Sequence, residues 1–185
     1  MTPKQKIRRE VLEIRSKMTE FERKRGDVLI TERLLGHQWF YRAKRVLIFV
    51  SYGDEIDTTG LIEEALRMEK EVYVPKVEGR EIRFYKITSL DELEVGYKGI
   101  REPSGTGKCY EYSDEGCDDS VLIMPGVAFD LLNHRIGYGK GFYDRFLQDK
   151  EALRLKSIAI GYACQRVETI EATEFDLNPY QVILV

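Results

Sequence analysis

Three glycines at alternate positions in the C-terminal half of the chain form the most distinctive candidate site. Gly137, Gly139 and Gly141 follow Arg135, and Lys140 lies between the last two. Glycine lets the backbone adopt positive φ and lets a ligand approach the N–H groups, and such a run before a helix start favours anions. The alternative is a tight strand-to-helix turn, but like charges are costly to gather in a turn without an anion. The loop therefore predicts a phosphate site, with the simple turn left open.

Two carboxylates near strand ends could hold a metal or a ligand. Asp144 directly follows the glycine loop, where it could bind a magnesium ion that bridges phosphates. Its alternative role is a helix-face ion pair with Arg145 or Lys140. Glu55 lies in the loop after a buried apolar run, a position that favours contact with a ligand. Charge compensation at a helix N-terminus is the alternative, and it fits Asp57 better than Glu55.

Other short motifs carry less weight. The glycine loop is not a Walker A loop, and the third glycine of a Rossmann fingerprint would fall on Phe142. The segment 105–108, Gly-Thr-Gly-Lys, looks like a phosphate loop but has no buried strand before it, which favours a surface loop. His37 and His134 are far apart in sequence and belong to no Ser-His-Asp arrangement, so a covalent nucleophile has little support.

Short apolar runs rich in β-branched residues predict the strands that position these residues. The predicted strands are 46–50, 71–75, 121–124, 157–160 and 181–185, with a weaker candidate at 81–87. The least regular region, 88–120, predicts loops with one short helix near Leu90. Ligands of parallel sheets sit beyond the C-terminal ends of the strands. We therefore expect the loops 51–57 and 125–144 to line one crevice.

The remaining segments predict helices at 4–18, 20–35, 59–68 and 141–147. The first has an apolar stripe that consists of Ile7, Val11, Ile14 and Met18. Lys4 and Arg8 are four residues apart and share a face of that helix. The second helix is bounded by a capping box at its start and by Gly36 at its end. Thr58 or Thr59 is expected to cap the third helix.

These elements predict one α/β domain over residues 1–185. It has three layers, with a mainly parallel sheet, helices on both faces and an N-terminal helical pair. The 185 residues are 43% apolar and 33% charged, enough for a core, and no apolar run is long enough to span a bilayer. The N-terminus lacks a signal-peptide core, and the three cysteines form no metal or disulfide pattern. A reducing, cytoplasmic location is therefore expected.

Charge is unevenly distributed along the chain. The net charge of −3 gives no general attraction to nucleic acid. Residues 1–45 nevertheless contain 13 Lys and Arg against 6 Asp and Glu. This excess indicates either a solvated helical face or a basic wall that faces an anionic ligand. A nucleic-acid-binding arm is the least favoured interpretation, because acidic residues are interleaved with the basic ones.

Two segments carry a resemblance to a known family. Residues 124–130, Met-Pro-Gly-Val-Ala-Phe-Asp, and 135–145, Arg-Ile-Gly-Tyr-Gly-Lys-Gly-Phe-Tyr-Asp-Arg, closely resemble the signature of the 5-formyltetrahydrofolate cyclo-ligases, also called methenyltetrahydrofolate synthetases. The resemblance covers nearly the whole chain and includes 4–8, 54–58, 72–75 and 165–176.

Five positions depart from the usual family pattern. Asn133 replaces a glycine, a mild change because Asn tolerates left-handed geometry. Ile136 replaces leucine, and Phe142 replaces tyrosine with loss of a hydroxyl. The family's Pro-His-Asp becomes Glu-Phe-Asp at 174–176, which keeps the acid and loses the histidine.

The resemblance implies ATP-dependent conversion of 5-formyltetrahydrofolate to 5,10-methenyltetrahydrofolate, with ADP and phosphate as products and Mg²⁺ as cofactor. The N5-formyl group is amide-like and a poor electrophile, so phosphorylation of its oxygen makes it reactive toward N10. The protein then mainly positions groups and stabilises charge. The alternatives are a folate- or nucleotide-binding module without turnover, and a sugar-phosphate isomerase or CoA-transferase relative, whose folds also place glycine loops at strand ends.

The resemblance also implies the site residues. Those implied in catalysis are Lys140, Arg135 and Tyr143. Those implied in ATP binding are Lys4, Gln5, Lys6, Ile7, Arg8, Arg135, Ile136, Gly137, Tyr138, Gly139, Lys140, Gly141, Phe142 and Tyr143. Those implied in folate binding are Val50, Glu55, Tyr138, Gly139, Lys140, Gly141 and Phe142. The metal ligands would be Asp144 and Asp176. The expected partners are ATP and 5-formyltetrahydrofolate, with no nucleic acid and no membrane, and a monomer is expected.

Overall fold

A computed structural model gives the fold and describes residues 1–115 and 117–185, without the side chain of residue 118. The helices are α1 (Pro3–Ser16), α2 (Glu20–Leu35), α3 (Gln38–Arg42), α4 (Thr59–Arg67), α5 (Phe142–Leu147) and α6 (Glu151–Arg154). The strands are β1 (Arg45–Ile48), β2 (Glu71–Glu78), β3 (Glu81–Ile87), β4 (Leu93–Val95), β5 (Arg101–Pro103), β6 (Ser120–Met124), β7 (Ala128–Phe129), β8 (Arg135–Ile136), β9 (Ser157–Gly161) and β10 (Gln181–Leu184).

Six strands form the central sheet in the order β10-β9-β6-β1-β2-β3. Every neighbouring pair is parallel except β2 and β3, which are antiparallel. The prediction of a mainly parallel sheet is therefore confirmed. The weak strand candidate at 81–87 is also confirmed, and it forms the antiparallel edge.

Alternate residues of the central strands pack into opposite layers. Val46 and Ile48 of β1 belong to a core that α2, α3 and α4 cover, whereas Leu47 lies in a second core with Leu147 of α5 and Leu153 of α6. All five side chains are at most 1% exposed. Burial on both faces explains why the strands are continuous apolar runs. The three-layer α/β architecture is confirmed, while the assignment of residues 1–185 to a single domain stays a prediction.

Local sequence sets the boundaries of the first two helices. Thr2 and Gln5 form a capping box at the start of α1, and Thr19 and Glu22 form another at the start of α2. Gly36 ends α2 as predicted, in a right-handed conformation with φ of −79°. Along the part of the chain that the structure describes, no helix is long and apolar enough to cross a membrane.

The predicted apolar stripe of α1 was wrong at one position. Ile14 is 51% exposed, and the neighbouring Arg15 is only 4% exposed. Val11 keeps its predicted place and is 3% exposed. The buried face of α1 therefore ends in a cation rather than in an aliphatic side chain.

The predicted threonine cap of α4 was also wrong. Thr58 occupies the cap position but makes no capping bond, and its hydroxyl instead donates to the Phe49 carbonyl at 2.9 Å. Asp57 accepts the N–H of Thr59 at 2.9 Å in its place. The Asp57 carboxylate thus compensates the positive charge at the N-terminus of α4. The sequence predicted this role for Asp57 rather than for Glu55.

Two short antiparallel hairpins have no counterpart among the predicted strands. β4 pairs with β5 inside the irregular region 88–120, and β7 pairs with β8 before the glycine loop. Strands of two or three residues are too short to show an alternation in sequence. The short helix expected near Leu90 is present as a single turn over Leu90–Glu92, and residue 116 of that region lies outside the described residues.

The strand order reverses between β1 and β6. From β1 the chain continues to β2 and β3 on one side, and β6, β9 and β10 lie on the other. Such a switch point opens a crevice beyond the carboxyl ends of the two central strands. The loops that follow β1 and β6 both start there, as expected.

Gly126, which follows β6 in this crevice, has no room for a side chain. A methyl group there would lie 2.3 Å from the ring of Phe129, which is fully buried. We expect Gly126→Ala to lower the free energy of unfolding by about 1–3 kcal/mol, because overpacking shifts the β7–β8 hairpin. Urea unfolding measures this change.

Gly60→Ala in α4 is the matched control. Apart from the chain neighbours and the backbone of α4 itself, no described atom lies within 4 Å of the added methyl group, so this variant should be at least as stable as the parent. Equal stability of the Gly126→Ala variant and the parent would contradict the tight packing at the start of the crevice.

Candidate active site

A cavity of about 670 Å³ opens at the crevice. Most of the polar residues in its wall come from five parts of the chain. They are Lys4 and Arg8 of α1, the 49–55 loop, residues 97–102, the glycine loop 135–145 and the segment 174–177. Apolar side chains of β2 and β3, Val77 and Ile82 among them, complete the wall. The cavity therefore combines basic groups, carboxylates and an apolar surface in one space.

The glycine loop takes conformations that need glycine. Gly139 and Gly141 have φ of 88° and 64°, in the left-handed region that other residues rarely adopt. Asn133, in the turn of the hairpin before the loop, has φ of 63°, which agrees with its replacement of a family glycine. The helix that follows, α5, has only six residues, so its dipole contributes little. Backbone N–H groups and cations must supply most of the attraction for an anion.

Helix α1 brings two cations to this loop. Its Val11 packs with Val127, Ala128 and Ile136 of the β7–β8 hairpin in a small third core. As a result, the Arg8 Nε donates to the Gly137 carbonyl at 2.7 Å. Hydrophobic packing at one point of α1 thus fixes the position of a guanidinium group against the glycine loop.

Lys4 and Lys140 differ in how they are paired. Lys4 forms an ion pair with Asp176, which also accepts the N–H and hydroxyl of Thr173. Lys140 is exposed and has no hydrogen bond or ion pair with any residue that the structure describes. The Lys140 ammonium is therefore available to an anionic ligand without breaking an internal contact.

Arg135 is buried beneath the loop. Its side chain is 5% exposed and donates to Asp144 Oδ1 at 3.1 Å, while its Nε is buried without a partner among the described residues. Asp144 also accepts the N–H of Leu177 at 3.2 Å. Asp144 thus forms its ion pair with Arg135. The alternative role for Asp144 expected Arg145 or Lys140 as the partner, and that expectation was wrong.

Asp144 and Asp176 both line the cavity, and each keeps one carboxylate oxygen free. All hydrogen bonds to Asp144 from described residues end on Oδ1, and all those to Asp176 end on Oδ2. No group of three His, Cys, Asp or Glu side chains within 1–115 and 117–185 could hold a metal alone. Magnesium prefers one or two carboxylates together with phosphate and water. The pair therefore fits Mg²⁺ that arrives with a phosphate ligand.

Glu55 faces the cavity from the loop after β1. Its carboxylate accepts the Tyr52 N–H at 2.9 Å and interacts with the Tyr138 hydroxyl of the glycine loop. Burial raises the pKa of Glu55, and the Tyr138 hydroxyl, the Tyr52 N–H and the Arg15 charge oppose that rise. The site thus contains a desolvated carboxylate that can accept hydrogen bonds.

Tyr143 places a hydroxyl in the wall without satisfying it. The oxygen is buried and has no hydrogen-bond partner among the described residues. Burial is the main cause that raises the pKa of Tyr143, with a further contribution from the Glu55 charge. An unpaired buried hydroxyl costs stability, so a ligand that bonds to it recovers that cost.

Most of the predicted site residues come together, but three do not. Gln5, Lys6 and Ile7 are not among the residues that line the cavity. Gln5 closes the capping box of α1, the Lys6 ammonium lies 4.0 Å from Glu10, and Ile7 packs in the third core. Val50 and Glu55 are in the wall as expected.

The sequence interpretation missed Arg15 and the β4–β5 hairpin. Arg15 follows Arg8 by seven residues and Lys4 by eleven, which places it on the same face of α1, so helical periodicity could have revealed it. The ring of Tyr97 on the hairpin lies 6.0 Å from the Phe142 ring, edge to face, and covers one side of the cavity. No sequence signal for this hairpin was found.

The remaining candidates lie away from the cavity. Segment 105–108 contributes no residue to the wall, which agrees with a surface loop. His134 bonds to Asp130 at 2.8 Å, and His37 bonds to Gln181 at 3.0 Å. Both histidines therefore have structural partners.

Fold and cavity define a class: a three-layer α/β protein with a cavity and a glycine-rich loop at its topological switch point. The sequence model of the 5-formyltetrahydrofolate cyclo-ligase family matches residues 1–184. A Caenorhabditis elegans relative named "Probable 5-formyltetrahydrofolate cyclo-ligase" is 32% identical, covering 97% of this chain and 91% of the relative. The Haemophilus influenzae 5-formyltetrahydrofolate cyclo-ligase is 27% identical over 98% and 97% of the two chains.

A solved structure agrees. The NMR structure of Aquifex aeolicus 5,10-methenyltetrahydrofolate synthetase matches with a TM-score of 0.81 and 34% identity, covering 96% of this chain and 87% of that one. The chain belongs to the 5-formyltetrahydrofolate cyclo-ligase family. It is accordingly an enzyme of the ATP-dependent ligase class, which decides against the isomerase-like and binding-module alternatives.

The raised pKa of Glu55 has a consequence for stability. The folded state holds the Glu55 proton more tightly than the unfolded chain does, because the pKa of Glu55 is higher in the folded state. The free energy of unfolding therefore falls as the pH rises from the ordinary pKa of Glu55 to its folded pKa. We expect Glu55→Gln to be more stable than the parent at pH 7. The difference should vanish below the ordinary pKa of 4.5, where Glu55 is protonated in both states.

Chemical denaturation of both proteins across this pH range tests the expectation. Glu63→Gln, at an exposed position of α4, is the matched control and should show no such pH-dependent gain. A Glu55→Gln variant that is less stable than the parent at neutral pH would contradict a desolvated carboxylate.

Proposed function

We propose that the cavity binds Mg-ATP and 5-formyltetrahydrofolate side by side and transfers the γ-phosphoryl group to the formyl oxygen. The observation that carries this proposal is the cavity itself. It joins a glycine loop, whose Lys140 has no ion pair with a described residue, to an apolar wall that contains a desolvated carboxylate, Glu55. Phosphoryl transfer needs positioning and charge stabilisation more than covalent chemistry.

The ATP triphosphate lies along the glycine loop in this proposal. N–H groups of residues 137–141 and the guanidinium of Arg8 contact the phosphates, and Lys140 pairs with the transferred group. Arg135 supports the loop from below through its bond to Asp144. Gln5, Lys6 and Ile7 remain predictions from the family resemblance, without a cavity contact to support them.

Asp144 and Asp176 are the proposed ligands of Mg²⁺. The free oxygen of each carboxylate and its place in the wall support this assignment. When bound, the ion offsets negative charge on the phosphates. Lys4, now paired with Asp176, remains close enough to turn toward a phosphate oxygen.

The folate ring lies against the apolar wall, next to Val50. The Glu55 carboxylate accepts hydrogen bonds from N–H groups of the pterin ring, a role that requires its ionised form. The pterin then supplies oriented donors to a carboxylate that burial has partly desolvated. The unsatisfied hydroxyl of Tyr143 donates to the formyl oxygen and orients it toward the γ-phosphorus.

The chemistry follows in two steps. The formyl oxygen attacks the γ-phosphorus, the bond to the ADP oxygen breaks, and the formyl carbon becomes an iminium-like electrophile. N10 then attacks that carbon, a proton leaves N10, and the C–O bond breaks with release of phosphate as the new ring closes. Lys140 and Arg135 stabilise the charge that develops on the transferred group.

We further propose a cytoplasmic monomer that acts only on small molecules. The net charge of −3 and the placement of Lys4 and Arg8 at the cavity support a small anionic ligand rather than nucleic acid. Cys109 and Cys164 are free thiols, as in a reducing compartment.

A turnover assay tests the proposed function. We expect the purified protein with Mg-ATP to convert 5-formyltetrahydrofolate to the methenyl form, followed by its ultraviolet absorbance, with one ADP released per product. Omission of ATP should abolish the reaction. A folded sample that binds both substrates and gives no product would overturn the proposal in favour of a binding role.

Lys140→Ala tests the assignment of the phosphate loop. We expect kcat to fall on the order of 10²-fold or more with unchanged thermal stability, because Lys140 makes no internal contact among the described residues. Lys24→Ala, an exposed lysine on α2, is the control and should keep full activity. A normal kcat for Lys140→Ala would remove Lys140 from phosphoryl transfer.

A further inference from the structure

The buried Arg15 of α1 has no assigned role in binding or chemistry. It is 4% exposed, and arginine is rarely buried to this extent without a charged partner. No carboxylate of the described residues forms an ion pair with it within 4.0 Å, and its Nε is buried without a hydrogen-bond partner. Burying this cation is costly, so its position requires an explanation.

Among the residues that the structure describes, the side chain that Arg15 donates to belongs to the glycine loop. Its Nη2 donates to the Tyr138 hydroxyl at 2.8 Å, and its guanidinium carbon lies 5.8 Å from the centre of the Tyr138 ring. Tyr138 as a whole is 47% exposed, because its ring lines the open cavity. Arg15, which does not line the cavity, therefore holds the hydroxyl group of Tyr138, which does.

The Tyr138 hydroxyl connects Arg15 with Glu55. A phenol has one proton to donate and lone pairs to accept with, so a hydroxyl that accepts from Arg15 can donate to a carboxylate. The Tyr138 hydroxyl interacts with the Glu55 carboxylate, and burial and the Glu55 charge both raise the pKa of Tyr138. Arg15, Tyr138 and Glu55 thus form a chain of polar groups across α1, the glycine loop and the loop after β1.

We propose that Arg15 is a positioning residue for folate binding, which acts through the Tyr138 hydroxyl to hold the Glu55 carboxylate oriented toward the pterin. The proposal rests on the folate-binding role of Glu55 proposed above. A hydrogen bond from a cation polarises the hydroxyl and strengthens its bond to the carboxylate. The substrate-binding face of the cavity then depends on a residue that does not line it.

Other groups around Glu55 do not replace Arg15. The Tyr52 N–H donates to Glu55 from its own loop, and Tyr143 faces it from α5, but both are neutral. Arg15 supplies the cationic charge that lowers the pKa of Glu55, against the rise that burial causes. Removing this charge should therefore make Glu55 harder to ionise.

The test compares Arg15→Met with Arg9→Met. Methionine keeps the apolar stem of Arg15 and removes its charge, and Arg9 is an exposed arginine of the same helix. For Arg15→Met we expect the KM for 5-formyltetrahydrofolate to rise about tenfold, with the KM for ATP unchanged. The acidic limb of the pH profile of kcat/KM should also move to higher pH. Arg9→Met should behave as the parent.

Tyr138→Phe provides a second route if Arg15→Met fails to fold. This variant removes the connecting hydroxyl with almost no change in volume, and it should raise the KM for 5-formyltetrahydrofolate and move the acidic limb in the same direction. In a Glu55→Gln background, Arg15→Met should add no further loss, because its effect passes through Glu55.

Three outcomes would overturn the inference. Equal increases in both KM values with an unmoved acidic limb would make Arg15 a structural residue only. Additive losses in the Glu55→Gln background would show that Arg15 acts elsewhere. A normal folate KM for Arg15→Met and Tyr138→Phe, beside a raised one for Glu55→Gln, would leave the role of Glu55 intact and remove that of Arg15. A normal folate KM for Glu55→Gln itself would instead reject the folate assignment in the proposed function.

Discussion

The buried carboxylate of Asp130 organises the segment from which the site is built. It accepts the N–H groups of Leu132, His134 and Ile170 and a contact from the His134 ring, and it is 2% exposed. Burial alone would raise the pKa of Asp130, but hydrogen bonds led by that of His134 lower it overall. This carboxylate fixes the β7–β8 turn and ties it to the 166–170 segment. Arg135 leaves the turn in a defined direction because of this anchor.

Internal ion pairs keep the cavity ordered before a substrate arrives. The Lys4–Asp176 pair is only partly buried, so each partner can exchange the other for a phosphate or a metal at modest cost. The Arg135–Asp144 pair has a buried guanidinium group and is more costly to break. Lys140 has no such internal partner among the described residues, and it is also the cation proposed to meet the transferred group. The site thus contains paired cations, which shape the cavity, beside Lys140, which has no ion pair with any described residue.

The sequence predicted the central strands well because burial on both faces leaves a continuous apolar run, as in β1 and β6. It predicted the glycine loop and Glu55 because strand ends of a parallel sheet converge. The hairpins β4–β5 and β7–β8 were not predictable, since pairing of two or three residues depends on tertiary contacts such as Glu102 with the Val77 N–H. Arg15 was missed because an arginine in an amphipathic helix normally faces solvent, and only the loop packed above it changes that.

The ion pair between Lys4 and Asp176 joins residues 172 positions apart. During synthesis, residue 4 emerges long before residue 176, so the two sides of the cavity that this ion pair joins meet only after the segment 174–177 has been made. A ligand that contacts both sides would stabilise only a chain that contains both, because a ligand shifts the folding equilibrium only through the state that binds it.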